Sequence, residues 1–124
     1  MKKFTKTRGK AFQYAIAGLF LAVKTQKNTW IYLVVTLLVI SLSFVLDLSN
    51  DEWAILIITI AFVWSAEIIN TSIEAIIDLV SPDHHPLAKA AKDLGAAAVL
   101  VAAISSVIVG LLILGPTIWS YIFH

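Results

Sequence analysis

Phe12, Ile16, Leu19, Phe20 and Val23 recur at steps of four, three, one and three, the spacing of one helical face. Gln13, Lys24, Gln26 and Lys27 interrupt this stripe with polar groups. The spacing predicts an amphipathic surface helix over about 4–27, lying in a membrane interface. Three long apolar stretches follow, over about 29–47, 53–80 and 87–120, each read as a transmembrane helix. The first opens near Trp30 and ends at Asp47-Leu-Ser-Asn-Asp-Glu52. The second keeps its helical pattern for roughly 28 residues, or about 42 Å. A hydrocarbon core is about 30 Å thick, so its last third stands at or above the headgroups. Ser81-Pro82-Asp-His-His-Pro86 breaks it, because two prolines this close do not both fit a helix interior. The third stretch begins amphipathic, at Leu87-Ala-Lys-Ala-Ala-Lys-Asp93, with a stop or kink expected at Gly115-Pro116.

Composition agrees with this division. Of 124 residues, 60% are hydrophobic and 14% charged, and the mean hydropathy is +0.91. A soluble domain of this length needs less apolar surface. The chain reads as one all-α membrane domain over 1–124, with too few spans to enclose much alone, so association with its own copies is expected. It has no cysteine, which excludes disulfides, zinc–thiolate and iron–sulfur sites and a cysteine nucleophile.

Net charge is only +1, but Lys2, Lys3, Lys6, Arg8 and Lys10 crowd the first ten residues. No folded basic module for nucleic acid is visible, and a basic head before apolar helices suits an anionic membrane surface. The same head before Ala15-Ile-Ala-Gly-Leu-Phe-Leu-Ala-Val23 also resembles a signal peptide, but no clear Ala-x-Ala cleavage site follows. Lys24 and Lys27 also precede the first span, Lys89 and Lys92 follow the proline break, and the 47–52 loop and C-terminal tail carry neither Lys nor Arg. The N-terminus and the 81–93 region are therefore expected in the cytoplasm, and the 47–52 loop and C-terminus outside.

The second span carries the candidate chemistry. At about 100° per residue, Glu67, Glu74 and Asp78 fall within about 20° of one line, with Asn70 about 60° aside. Carboxylates at membrane depth are costly, so they face a protein interior or a wet cavity. Counted from Trp53, Glu67 lies about 21 Å, Glu74 about 32 Å and Asp78 about 38 Å along the helix. Glu67 then sits at the depth of a lipid hydroxyl, and Glu74, Asp78 and Lys92 face an approaching soluble nucleotide. Such layering suits phosphoryl transfer, which is mostly positioning and charge neutralisation. Glu67 is placed to act as base, Glu74 to hold phosphate-bound magnesium, and Lys92 to neutralise phosphate.

Each residue has a plainer reading. Glu74 and Asp78 fit a solvated helix end, Lys89 or Lys92 with Asp93 a surface ion pair, and Asn70 interhelical packing. His84-His85 fits a solvated loop or a nucleotide contact better than zinc. Gly9-Lys10 lacks the rest of a phosphate-binding loop. Ala98, Ala102, Ser106 and Gly110, four apart, mark a helix–helix interface rather than a pocket. Trp30, Trp53 and Trp119 read as interfacial anchors, and Trp64 as packed between helices. A non-catalytic oligomer, its acidic face lining a pore, is the rival to an enzyme.

Ala66-Glu-Ile-Ile-Asn-Thr-Ser-Ile-Glu-Ala-Ile-Ile-Asp78, His85-Pro-Leu-Ala-Lys-Ala-Ala-Lys-Asp93 and Ala96-Ala-Ala-Val-Leu100, with Tyr14, Gly18 and Lys24-Thr25, closely resemble the small prokaryotic diacylglycerol kinases, a family that includes the undecaprenol kinases of Gram-positive bacteria. The resemblance implies an ATP- and magnesium-dependent lipid kinase of the bacterial cytoplasmic membrane. It implies a homotrimer with three spans and a surface helix per subunit, and active sites shared between subunits. Glu67 matches the catalytic base and Glu74 the metal-binding glutamate. Asn70 and Asp78 match polar residues of the site. Asp83, His84 and His85 match the nucleotide loop, Lys92 and Asp93 its phosphate-side pair, and Tyr14 a surface-helix residue near the nucleotide. Two positions depart: Gln26 stands where many members place a second metal-binding glutamate, and Ala96 where some have a serine. The His-His-Pro-Leu-Ala-Lys form looks like the Gram-positive branch, so undecaprenol is the first expected acceptor and diacylglycerol the second.

Overall fold

The computed structural model describes residues 8–124, and the head at 1–7 lies outside the described residues. Four helices follow in order: α1 Arg8–Thr25, α2 Lys27–Val45, α3 Asn50–Val80 and α4 Pro86–Phe123. Helices α2, α3 and α4 are each long and apolar enough to cross a membrane. At 1.5 Å per residue, α2 just spans a hydrocarbon core, whereas α3 and α4 reach about 46 and 57 Å and project beyond it.

The ends of the helices show where local chemistry overrides the broad pattern. The surface helix ends at Thr25, not 27, because Gln26 adopts an extended backbone (φ −106°, ψ 118°) before α2 begins at Lys27. At the other end of α2 the chain turns through Asp47, whose φ of 52° lies in the left-handed region that Asp tolerates better than most residues. Helix α3 starts at Asn50, three residues earlier than its apolar run. The cause is a capping box: Ser49 Oγ accepts from the Glu52 N–H at 3.3 Å, and Glu52 Oε2 accepts from the Ser49 N–H at 2.9 Å.

Pro86 occupies the first turn of α4, where its missing N–H costs nothing. His85 caps that turn, Nδ1 accepting from the Leu87 N–H at 3.1 Å. Of the stop or kink weighed at Gly115-Pro116, the stop is absent: α4 runs through Pro116 to Phe123, close to the end expected near 120. Away from water a backbone keeps its own hydrogen bonds, and Thr117 Oγ1 adds one to the Ile113 carbonyl at 2.9 Å.

Packing concentrates between α3 and α4, where Ala102 is fully buried. Leu46, Leu48, Leu56 and Leu114 form a small core at the Asp47 end, and Phe44 packs tilted against Trp53 with ring centroids 4.8 Å apart. Trp64 bridges α3 to α2, its Nε1–H donating to Thr36 Oγ1 at 3.1 Å, which bears out its reading as a packed residue. The small-residue stripe is only partly an interface. Ala98 is exposed, and Ser106 and Gly110 line an apolar groove of about 500 Å³ between α2, α3 and α4, contrary to the expectation of no pocket. Most other large apolar side chains face outward, as a chain surrounded by lipid or by its own kind requires.

Candidate functional site

Polar burial singles out one stretch of α3. Glu67 is 5% exposed and Asn70 8%, while Glu74 is half-buried and Asp78 exposed. Burial within the chain thus decreases along α3 toward the proline loop. The Tyr32 hydroxyl of α2 and the Glu74 carboxylate both lie within electrostatic range of Glu67. Asn70 links two levels of this face: its Nδ2–H donates to Glu74 Oε1, one turn on, at 3.4 Å.

Beyond Glu74 the helices α3 and α4 and their connecting loop enclose an open cleft of about 390 Å³. Asp78, Asp83, His84, His85, Lys92 and Asp93 all line it. Two ion pairs stand at its mouth, one of them the Lys89–Asp93 surface pair weighed from the sequence. Lys92 Nζ bonds Asp78 across the helices, and Asp93 pairs with Lys89 at 2.6 Å along α4. Both lysines therefore sit on carboxylates at the mouth of the cleft, where exposed pairs are worth about 0.2–1 kcal/mol each and yield readily to a stronger anion.

The remaining expected residues lie apart from the cleft lining. Tyr14 is exposed on α1, Gln26 is half-buried at the α1–α2 break, and Ala96 is exposed on α4. Among the described residues no three His, Cys, Asp or Glu side chains converge as a metal cage, which leaves His84-His85 without partners for zinc. Magnesium has different needs. It takes one or two protein carboxylates and completes its shell with phosphate oxygens and water. Glu74, half-buried and braced by Asn70, fits that demand.

Two contributors escaped the sequence pattern. The capping role of His85 depends on a side-chain rotamer that adjacent histidines do not advertise. Gly95 is the other: a Cβ there would collide with Asn70 Oδ1. A glycine inside a long helix, costing about 1 kcal/mol against alanine, was the available signal.

This is a multi-pass membrane protein with a graded acidic face on α3 leading to an open, charged cleft. Comparison with known proteins gives that class its family. Residues 13–114 match the family model for prokaryotic diacylglycerol kinase, and the chain belongs to that family. It is 41% identical over 107 residues to the undecaprenol kinase of Bacillus subtilis, covering 86% of this chain and 87% of that one. It is 41% identical over 111 residues to the diacylglycerol kinase of Synechocystis, covering 89% of this chain and 63% of that protein. It is 36% identical over 88 residues to the diacylglycerol kinase of Escherichia coli K12, covering 71% and 69%. The protein is a lipid kinase of the bacterial inner membrane.

Proposed function

We propose that the protein transfers the γ-phosphoryl group of ATP to the hydroxyl of undecaprenol. The observation carrying this reading is the buried Glu67 two turns below the half-buried Glu74 on one face of α3. Phosphoryl transfer to lipid needs a base at the depth of the lipid hydroxyl and a metal–phosphate ligand nearer water. Diacylglycerol is the second reading, favoured by the Synechocystis relative at the same identity.

In this mechanism Glu67 accepts the proton of the lipid hydroxyl as that oxygen attacks the γ-phosphorus, and ADP departs through the cleft. Glu74 would hold a magnesium ion, which when bound would supply neutralisation of the phosphate charge. Gln26 offers a neutral oxygen to the same ion. Lys92 leaves Asp78 to meet the phosphates, Asp93 holds Lys89 beside it, and Asp83, His84 and His85 hold the nucleotide at the cleft wall. Tyr14 flanks the nucleotide from the surface helix, and Ala96 faces the lipid side. A homotrimer supplies the walls that a single chain lacks, and sites are shared between neighbours. The basic N-terminal head and the proline loop face the cytoplasm, where ATP is found.

The test is phosphorylation by purified protein in bilayers with ATP and magnesium, undecaprenol and diacylglycerol being presented separately. Faster turnover of undecaprenol is expected. Faster turnover of diacylglycerol would replace the acceptor, and turnover of neither by an assembled protein would reject the reading.

A further inference from the structure

We propose that Asn70, seated on Gly95, is the positioning residue that aims the Glu74 carboxylate, an inference that rests on the reading of Glu74 as the ligand of nucleotide-bound magnesium. Of the five glycines, Gly9, Gly18, Gly110 and Gly115 have nothing within 4 Å of a would-be Cβ. Gly95 differs. The space its missing side chain leaves is filled by the Asn70 amide, with Ile73 Cδ1 beside it at 3.8 Å. Gly95 is itself buried, so this is an α3–α4 contact inside the protein and not an open surface.

The two ends of that amide do different work. Oδ1 is buried against α4 with no hydrogen-bond partner, facing the glycine Cα, a weak C–H···O arrangement common where helices meet closely. Nδ2 points the other way and donates to Glu74 Oε1 at 3.4 Å. A leucine, of the same branched shape though larger, would bury no unpartnered oxygen here. The asparagine offers what leucine lacks, an N–H aimed at a carboxylate. Wedging one end of the amide into the glycine notch fixes the direction of the other, so the carboxylate is held in one rotamer before the metal arrives. Outer groups that orient a metal ligand typically contribute about 10- to 100-fold in metal affinity.

Binding of Mn²⁺ in the presence of a non-hydrolysable ATP analogue, with free Mn²⁺ followed by electron paramagnetic resonance, reads this directly and without turnover. Glu74→Gln should abolish nucleotide-dependent Mn²⁺ binding. Asn70→Leu, which keeps the branched shape and removes the donor, should weaken it about 10- to 100-fold while the oligomer stays intact. Gly95→Ala should weaken it similarly by displacing the amide. Combined with Asn70→Ala it should add nothing to the loss caused by Asn70→Ala alone, because no amide remains to be displaced. Binding lost in Glu74→Gln but kept in Asn70→Leu and Gly95→Ala overturns the positioning role and leaves the metal role of Glu74 standing. Binding unchanged in Glu74→Gln overturns both. A Gly95→Ala loss that persists in full on the Asn70→Ala background places Gly95 in helix packing alone and overturns the coupling.

Discussion

The Lys92 ammonium on α4 bonds the Asp78 carboxylate on α3, fourteen positions away, and leaves Asp93 beside it to Lys89. Lys92 and Asp78 side chains are 41% and 66% exposed, so water screens the bond and its worth to the fold is at most about 1 kcal/mol. A phosphate brought into the cleft competes for the same ammonium with more charge and more oxygens. The two partners should therefore respond oppositely. Lys92→Met is expected to raise KM for ATP about tenfold, with the thermal midpoint in detergent almost unchanged. Asp78→Asn, which frees the lysine, is expected to leave KM for ATP equal or lower. A raised KM in both variants would make the pair, not the free lysine, the nucleotide contact.

The helix caps give a prediction separable from chemistry. Ser49 and Glu52 close a reciprocal box at the start of α3, far along that helix from Glu67 and Glu74. Ser49→Ala is expected to cost about 1 kcal/mol of stability and to leave kcat and KM unchanged. His85 caps α4 through Nδ1 and also lines the cleft. His85→Ala should therefore lose about 1 kcal/mol and raise KM for ATP, while His85→Asn, an amide that caps well, should restore stability but not KM. Thermal unfolding and initial rates on the same preparations check both.

These caps also mark where reading from sequence succeeds and stops. The face carrying Glu67, Asn70, Glu74 and Asp78 was legible because helical spacing is rigid and carboxylates are out of place in an apolar run. Their burial follows from which face of α3 meets the rest of the chain, which spacing alone does not fix. The partner of Lys92 was not legible, since spacing favours a neighbour on the same helix while the cross-helix register is set by packing. Gly95 and Asn70 lie 25 positions apart, and nothing local ties the notch to the amide that fills it. The span through Gly115-Pro116 to about 120 was legible although a proline argues for a break. Proline breaks helices in water, where freed carbonyls find other partners, but in lipid the chain keeps the helix and tolerates the gap.

Glu67 allows a sharper test of the reaction itself. A base that takes the proton of the acceptor in the transition state contributes about 10²- to 10⁴-fold. Glu67→Gln preserves size and burial and removes only the basic oxygen. Turnover should fall by about that factor, with KM for ATP little changed and the oligomer intact by size-exclusion chromatography. Loss of the oligomer together with activity would assign Glu67 to assembly instead, and retained turnover would remove it from the mechanism.

Gln26 stands at the single-residue break between α1 and α2, the one place where the surface helix can turn without straining either element. On the proposed reading it would offer magnesium a neutral oxygen, which does not balance the charge of the ion. With Glu74 as the sole acidic ligand, the ion should be held more by the nucleotide than by the protein. Gln26→Glu restores the missing charge at nearly constant shape. The magnesium concentration for half-maximal turnover is then expected to fall several-fold, on the order of 1 kcal/mol of added attraction between opposite charges near a surface. The shift should shrink as salt is raised, because an exposed charge is screened. An unchanged magnesium requirement would place the second oxygen ligand elsewhere and leave Gln26 as the hinge residue alone.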